Sequence, residues 1–298
     1  MRQEHEHKIE VQHVTQEFRG AAFRSTGGKL VAVNDVTFSL TDNPPQIINL
    51  VGQSGSGKST LARIILGLQK PTSGTVLFNG KDVYGMGRKD RAEFLRMVQP
   101  VFQDPYGIFN PFYRVDRVLW KPIKKFGLAK NRSQGLEIIE RSLRAVDLRP
   151  EDVLGRYPHQ LSGGQRQRVM LARVHMLQPR FIIADEPVSM LDAAVRVSFL
   201  NLLIDFRDKY GMTTLFITHD LSTSYYVGGE IMVMHKGSIV ESGRVDDVLL
   251  RPQHPYTRTL LASVPVPDPD ARWRDKAAVA IEEEEVVVES PNIEAPNP

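Results

Sequence analysis

The 298-residue chain contains no cysteine. This absence excludes a disulfide framework, a thiolate-bound metal and an iron–sulfur cluster held by cysteines. No apolar run approaches the ~18 residues that a membrane-spanning helix needs, and the polar residues 1–8 lack the apolar core of a signal peptide. We therefore expect a soluble intracellular protein.

The chain also lacks a strong net charge, because it has 38 Lys and Arg residues and 35 Asp and Glu residues. This near balance does not indicate a dedicated nucleic-acid binder, although the pI of about 9.0 does not exclude one. Hydrophobic residues make up 41% of the chain. With this length, they can form the core of one large or two fused domains.

Strand-like and helix-like patterns alternate along most of the chain. The continuous apolar run Ile47–Val51 is typical of a strand buried on both faces, and a glycine-rich loop and a helix-like stretch follow it. From about Val115 to Gln178 the pattern is helical. Further strands are predicted over 9–18, 31–40, 76–78, 181–184, 214–218, 231–235 and 238–240, and further helices over 133–146 and 193–209. We predict an α/β protein with a parallel sheet and a helical insertion at about 115–178.

The strongest motif is a phosphate-binding loop between a predicted strand and a predicted helix. Residues 52–60 read Gly-Gln-Ser-Gly-Ser-Gly-Lys-Ser-Thr and fit the P-loop pattern, in which backbone N–H groups and a helix N-terminus surround phosphate oxygens. In such loops the lysine neutralises the β- and γ-phosphates and the following hydroxyl binds Mg²⁺. The candidate nucleotide-binding residues are Gly52, Ser54, Gly55, Ser56, Gly57, Lys58, Ser59 and Thr60, with Ser59 also a metal ligand.

Two adjacent carboxylates, Asp185 and Glu186, follow the predicted strand 181–184. Ligands of open α/β sheets bind at the carboxyl ends of the strands. Asp185 is therefore expected to hold the Mg²⁺ shell, and Glu186 is expected to polarise an attacking water. Alone, such a pair could equally cap a helix, but beside a P-loop it indicates hydrolysis.

A second anion-binding turn is predicted at Leu161-Ser162-Gly163-Gly164-Gln165, directly before a helix-like segment. A free-standing Ser-Gly-Gly is more often a linker or a helix cap. One chain has no evident need for two phosphate sites, but in a two-fold dimer each chain can close this turn over its partner's nucleotide.

Together with Thr218-His219-Asp220, these motifs resemble the ATP-binding subunits of ABC transporters over about residues 9–263. The resemblance implies ATP and Mg²⁺ as ligands, an antiparallel β subdomain, and a helical insertion subdomain on a P-loop core. It assigns Phe18 to the adenine, Gln103 of the Q-loop (101–105) to Mg²⁺ and the attacking water, and His219 to the γ-phosphate. Asp192 matches the D-loop (189–192), and an aromatic such as Phe18 could also belong to the core.

Narrower features resemble the oligopeptide/dipeptide importers. These are Phe-Gln-Asp-Pro-Tyr at 102–106, the His-Pro-Tyr element with its following residues (254–261), and the stretch 67–74, which is similar to the second (F-type) ATPase subunit. The resemblance implies a heterodimer with a second ABC ATPase subunit, two transmembrane permease subunits, an extracytoplasmic substrate-binding protein and no nucleic acid. It also implies a peripheral location on the cytoplasmic face of the inner membrane.

Three alternatives remain at this stage. Relatives with the same machinery import oligosaccharides or nickel, and cargo specificity lies in other subunits. A soluble ABC ATPase acting on nucleic acid or ribosomes usually has tandem units or a coiled coil, whereas this chain has one P-loop and a short 60–161 stretch. A regulatory subunit without turnover conflicts with intact Glu186 and His219. We predict one domain over residues 1–263. The C-terminal residues 264–298, which are rich in Pro, Asp and Glu, are predicted to be a largely disordered acidic tail.

Overall fold

The computed structural model describes residues 6–20, 28–103 and 109–263. The chain divides into two units, Met1–Leu261 and Ala262–Pro298, and the side-chain contacts described below lie within the first. The predicted tail (264–298), part of the loop after Phe18 (21–27) and part of the Q-loop region (104–108) lie outside the described residues. The boundary predicted at residue 263 stays a prediction.

The strands within the described residues form two sheets. They are β1 (Lys8–Arg19), β2 (Lys29–Thr41), β3 (Ile47–Val51), β4 (Ser73–Phe78), β5 (Lys81–Asp82), β6 (Val98–Phe102), β7 (Phe181–Asp185), β8 (Thr213–Thr218), β9 (Glu230–His235) and β10 (Ser238–Arg244). The larger sheet has the order β10-β9-β3-β8-β7-β6, and all its neighbours are parallel except β10 and β9. Its carboxyl edge therefore collects the ends of β3, β7 and β8.

Burial explains why the central strands of this sheet are continuously apolar in sequence. Every residue of β3 and of β8 is buried. One face of the sheet shares a core cluster with the smaller sheet and with Leu61, and the other face shares one with helix residues such as Leu143 and Phe206. The smaller sheet is antiparallel in the order β2-β1-β4-β5. Its strand β1 alternates, and Ile9, Val11 and Val14 are fully buried on the core side. This is the antiparallel β subdomain that the sequence predicts.

The α-helices of the described residues are α1 (Lys58–Ile65), α2 (Arg88–Met97), α3 (Asp116–Phe126), α4 (Arg132–Arg144), α5 (Pro150–Val153), α6 (Gly163–Leu177), α7 (Ala193–Tyr210), α8 (Leu221–Val227), α9 (Val245–Leu250) and α10 (Pro255–Ala262). Helices α3 to α6 form the predicted insertion between β6 and β7. Ile139 and Leu143 of α4 share one buried cluster with Val169 of α6. None of the helices in the described residues is long and apolar enough to cross a membrane.

Several elements of the structure, α2, β5, β6, α8 and α9, are absent from the sequence prediction, and the sequences of α2 and β6 show why. In α2 the only buried residue is Phe94, and most of the others are charged or polar, so the helix has no apolar stripe. Strand β6 reads Val-Gln-Pro-Val-Phe, and its polar residue and Pro100 break a strand pattern. Proline is tolerated there because β6 is the edge strand of its sheet.

Candidate nucleotide-binding site

The P-loop joins β3 to α1, as the sequence predicts. Gly57 precedes the first residue of α1 with φ 108°, a left-handed conformation that favours glycine. A Cβ atom at this position would lie 2.0 Å from the carbonyl oxygen of Ala32, so no side chain fits without movement of the backbone. The N–H of Gly237 donates to the carbonyl of Ser56 at 3.0 Å and ties the loop to the β9–β10 turn.

Lys58 is only 4% exposed and lies inside the loop that it closes. Its Nζ donates to the carbonyl oxygens of Gly52 at 2.7 Å and Gln53 at 2.9 Å, and to the Ser56 hydroxyl at 3.4 Å. Burial lowers the pKa of the Lys58 ammonium, while the nearby Glu186 and Asp185 carboxylates oppose that shift. The positive charge of Lys58 therefore lies inside the loop, where its hydrogen-bond acceptors are neutral oxygens.

The P-loop and the β7 carboxylates meet, although 126 residues separate them. The Ser59 hydroxyl donates to Oδ1 of Asp185 at 3.0 Å. Burial raises the pKa of the Asp185 carboxyl, and the hydrogen bond from Ser59 acts in the opposite direction. A hydroxyl oxygen and a carboxylate oxygen side by side fit Mg²⁺, which prefers hard oxygen ligands.

Glu186 lies between the ends of two neighbouring strands. Its backbone has φ 46°, and its N–H donates to the carbonyl of Ile217 in β8 at 2.9 Å. Its Oε1 lies 3.2 Å from Nδ1 of His219, which follows β8. The carboxylate is mostly buried, whereas the His219 side chain is half exposed. A non-glycine residue in the left-handed region is uncommon, and here it turns Glu186 towards the P-loop.

An open cleft of about 490 Å³ brings most of the predicted residues together. The P-loop forms one wall, Gln103 and Glu186 lie at the sheet edge, and Phe18 stands at the end of β1 beside Leu30 of β2. The predicted residues that line it are Phe18, Ser54, Gly55, Gly57, Lys58, Ser59, Thr60, Gln103 and Glu186. Gly52 and Ser56 contribute through their contacts with Lys58.

The signature residues fold as a helix start rather than as part of this cleft. The Ser162 hydroxyl accepts from the N–H of Gln165 at 3.1 Å, and the Gln165 side chain accepts from the N–H of Ser162 at 2.9 Å. Gly163 and Gly164 form the first turn, where a Cβ on Gly164 would lie 2.9 Å from Val195. None of these four residues lines the cleft.

Asp192 also lies away from the cleft lining, at the N-terminus of α7. Its carbonyl accepts from the N–H of Arg196 at 2.8 Å. The Arg196 guanidinium reaches Asp220, the residue after His219, at 3.2 Å. The D-loop is thereby connected to the segment that carries the histidine.

Besides Leu30 and Ala32 of β2, which line the cleft, sequence reasoning missed Tyr256 at the P-loop. Its hydroxyl accepts from the N–H of Gln53 at 3.1 Å, across 203 residues of sequence. The sequence marks the His-Pro-Tyr element only as a subfamily feature. That resemblance was the available signal, and the spacing of the motifs cannot indicate a contact across 203 residues.

The chain matches known families and proteins. The family model "ABC transporter" matches residues 33–189, and "Oligopeptide/dipeptide transporter, C-terminal region" matches 240–286. The oligopeptide transport ATP-binding protein OppF of Bacillus subtilis is 40% identical over 263 residues, covering 88% of this chain and 84% of that protein. OppF of Streptococcus pyogenes is 43% identical over 242 residues, covering 81% and 78%.

Solved structures agree on the fold. The dimeric structure of MJ0796, a bacterial ABC transporter cassette, superposes with a TM-score of 0.68 at 25% identity, covering 80% of this chain and 98% of that one. Its post-hydrolysis form bound to ADP and Pi gives a TM-score of 0.67 at 24% identity, over the same shares of the two chains. The predicted ABC-type fold and the predicted ATPase class are confirmed. The chain therefore belongs to the ABC transporter family, among its oligopeptide transport ATP-binding proteins.

Proposed function

We propose that the chain is the ATP-hydrolysing subunit of a membrane importer that takes up oligopeptides or dipeptides. One observation carries the hydrolytic part: Glu186 and His219 form a pair at 3.2 Å beside the cleft that Lys58 and the P-loop line. The C-terminal match and the named relatives support the peptide cargo.

The chain's own residues can perform the steps of ATP hydrolysis. The P-loop N–H groups bind the β- and γ-phosphates, and Lys58 exchanges its carbonyl partners for phosphate oxygens. Glu186 accepts a proton from the attacking water, and His219 orients the carboxylate and the γ-phosphate. Phe18 stacks on the adenine. Mg²⁺, held by Ser59, Asp185 and Gln103, would neutralise phosphate charge.

The signature turn supports a two-chain site. Ser162, Gly163, Gly164 and Gln165 lie outside the cleft of their own chain, yet they form a helix N-terminus of the kind that binds anions. We infer that they close over the nucleotide of a second ABC ATPase subunit, a related chain in a heterodimer. Asp192 lies at the same contact.

The insertion offers a surface for the two permease subunits. The Phe112 side chain is 84% exposed and Tyr113 is 47% exposed, close in sequence to the Q-loop. Beside them, Arg114, Arg117 and Lys121 line a shallow cleft. Exposed aromatics with a charged rim are typical of a protein-binding surface. This contact would place the chain peripherally on the cytoplasmic face of the membrane, opposite an extracytoplasmic substrate-binding protein.

The test is the ATPase rate of the complex that co-purifies with this chain, reconstituted in lipid with and without peptide-loaded binding protein. We expect stimulation by peptides, and no stimulated hydrolysis in a matched complex carrying Glu186→Gln. If oligosaccharides or nickel stimulate hydrolysis and peptides do not, the importer proposal stands but the cargo is not a peptide. If no membrane protein co-purifies with the chain, the proposal that it is a transporter subunit is contradicted.

A further inference from the structure

The His-Pro-Tyr element (254–256) reaches the P-loop through a hydrogen bond. Oη of Tyr256 accepts the N–H of Gln53 at 3.1 Å. Gln53 is the second residue of the P-loop, and its carbonyl accepts from Lys58 Nζ at 2.9 Å and from the N–H of Ser56 at 3.2 Å. Both polar groups of the Gln53 backbone are therefore hydrogen-bonded. The N–H bonds to Tyr256 outside the loop, and the carbonyl bonds to Lys58 and Ser56 inside it.

Tyr256 is itself held firmly on the β9–β10 hairpin. Its ring packs against the ring of His235 with centroids 3.8 Å apart, and its N–H donates to Nδ1 of His254 at 3.1 Å. The Glu241 carboxylate in β10 accepts the N–H groups of Gln253 at 2.7 Å and of His254 at 3.1 Å. The Tyr256 hydroxyl thus rests on a support that is fixed at several points.

The same hairpin anchors the P-loop a second time, through backbone alone. The N–H of Gly237 donates to the carbonyl of Ser56 at 3.0 Å, and the carbonyl of Gly237 accepts from Asn34 at 2.9 Å. Of these two anchors on the hairpin side, only the one at Gln53 depends on a side chain. A single substitution can therefore remove it and leave the rest of the support in place.

We propose that Tyr256 is a positioning residue that fixes the P-loop for nucleotide binding, and that this is a role of the C-terminal His-Pro-Tyr element. Without the Tyr256 oxygen, the Gln53 peptide and the carbonyl that faces Lys58 can move. The loop must then be ordered when the nucleotide binds, which weakens affinity. In the described part of the chain, no hydrogen bond or ring contact joins Tyr256 to Glu186 or His219, so we expect the chemical step to be unaffected. The proposal depends on nucleotide binding by the P-loop and not on the peptide cargo.

The test variant is Tyr256→Phe, which keeps the ring against His235 and removes only the hydroxyl. We expect ATP and ADP to bind roughly 3- to 10-fold more weakly, the effect of losing one neutral hydrogen bond. We expect kcat to stay within about twofold while KM for ATP rises. Hydrogen exchange should become faster at the Gln53 amide and in peptides covering 52–58, with exchange elsewhere unchanged.

Tyr226→Phe is the matched control. The Tyr226 hydroxyl also makes one hydrogen bond, to Oδ1 of Asn201 at 2.7 Å, but it does so on the surface between α8 and α7. We expect wild-type nucleotide affinity and wild-type exchange at Gln53 in this control. The proposal is overturned if Tyr256→Phe leaves both the affinity and the Gln53 exchange unchanged. It is also overturned if both variants weaken binding equally, or if Tyr256→Phe lowers kcat at unchanged affinity.

Discussion

Among the described residues of the site, only Glu186 and the P-loop glycines have a positive φ. The left-handed φ of 46° at Glu186 directs its carboxylate towards the cleft, and its N–H is held by the Ile217 carbonyl. Glutamine has the same shape and can keep both features, but it cannot accept a proton from water. A Glu186→Gln variant therefore separates the geometry of this position from its proton chemistry.

We predict that Glu186→Gln binds ATP with near-wild-type affinity and hydrolyses it about 10²- to 10⁴-fold more slowly, the usual effect of losing a general base. Steady-state hydrolysis and equilibrium nucleotide binding measure the two effects. Glu230→Gln is a suitable control, because Glu230 is exposed and begins β9 at the opposite edge of the same sheet. Near-wild-type turnover of Glu186→Gln would remove Glu186 from the role of base.

Helix α6 carries the signature turn at its N-terminus and a buried histidine near its C-terminus. His175 is 4% exposed, its Nδ1 lies 3.0 Å from the Ser142 hydroxyl, and its ring packs edge-on against Tyr210 with centroids 4.5 Å apart. Burial, helped by the charge of Arg141, lowers the pKa of His175 to about 4. The unfolded chain, with a pKa of about 6.5 for this group, therefore takes up the proton first as the pH falls.

This difference destabilises the folded state between about pH 6.5 and about pH 4, and the full stability is present above that range. For a wild-type chain moved from about pH 7 to about pH 5, we predict that His175 accounts for about 2 kcal/mol of the lost unfolding free energy. Urea unfolding at the two pH values measures this loss, and in the His175→Phe variant the loss should be smaller by the contribution of His175. His159→Gln removes an exposed histidine and serves as the control. An unchanged pH dependence in His175→Phe would contradict the assignment.

At the scale of helices and strands, the sequence predicts the elements that have one clear hydrophobic pattern and misses those that lack one. Strand β3 was predicted with its observed bounds, since a fully buried strand is apolar at every position. Helix α2 and strand β6 were missed, because one is charged at six of its ten positions and buries only Phe94, and the other contains Pro100 at an edge. The site follows the same rule: contiguous motifs such as the P-loop were predicted. The contact from Tyr256 to Gln53 was not, since it depends on how distant segments pack.

At the scale of the whole molecule, the proposed two-chain site would take one half from each chain. The cleft holds Lys58 and Glu186, while Ser162 lies at a helix start outside it. Two chains placed head to tail about a two-fold axis would bring each signature turn to the other's cleft. ATP should therefore favour association, because it interacts with both chains only in the closed pair.

We predict that Glu186→Gln protein doubles its mass in light scattering when ATP is added, alone or mixed with the second ATPase chain that co-purifies with it. Adding Ser162→Asp should prevent this, because aspartate still caps α6 but repels phosphate. Asn131→Asp places the same charge at the N-cap of α4 and should leave association intact. A mass that stays monomeric with ATP in both samples would contradict the two-chain site.

The capping box at Ser162 also leaves the hydroxyl hydrogen of this residue available for a second interaction. A serine hydroxyl has two lone pairs and a single hydrogen. One lone pair receives the N–H of Gln165, and the side chain is exposed, so the hydrogen remains free to point away from the helix. The same oxygen therefore accepts towards its own chain and can donate towards a neighbour. Alanine removes both abilities, whereas aspartate at neutral pH removes only the second, so comparing the two variants separates the folding of this turn from its recognition of an anion.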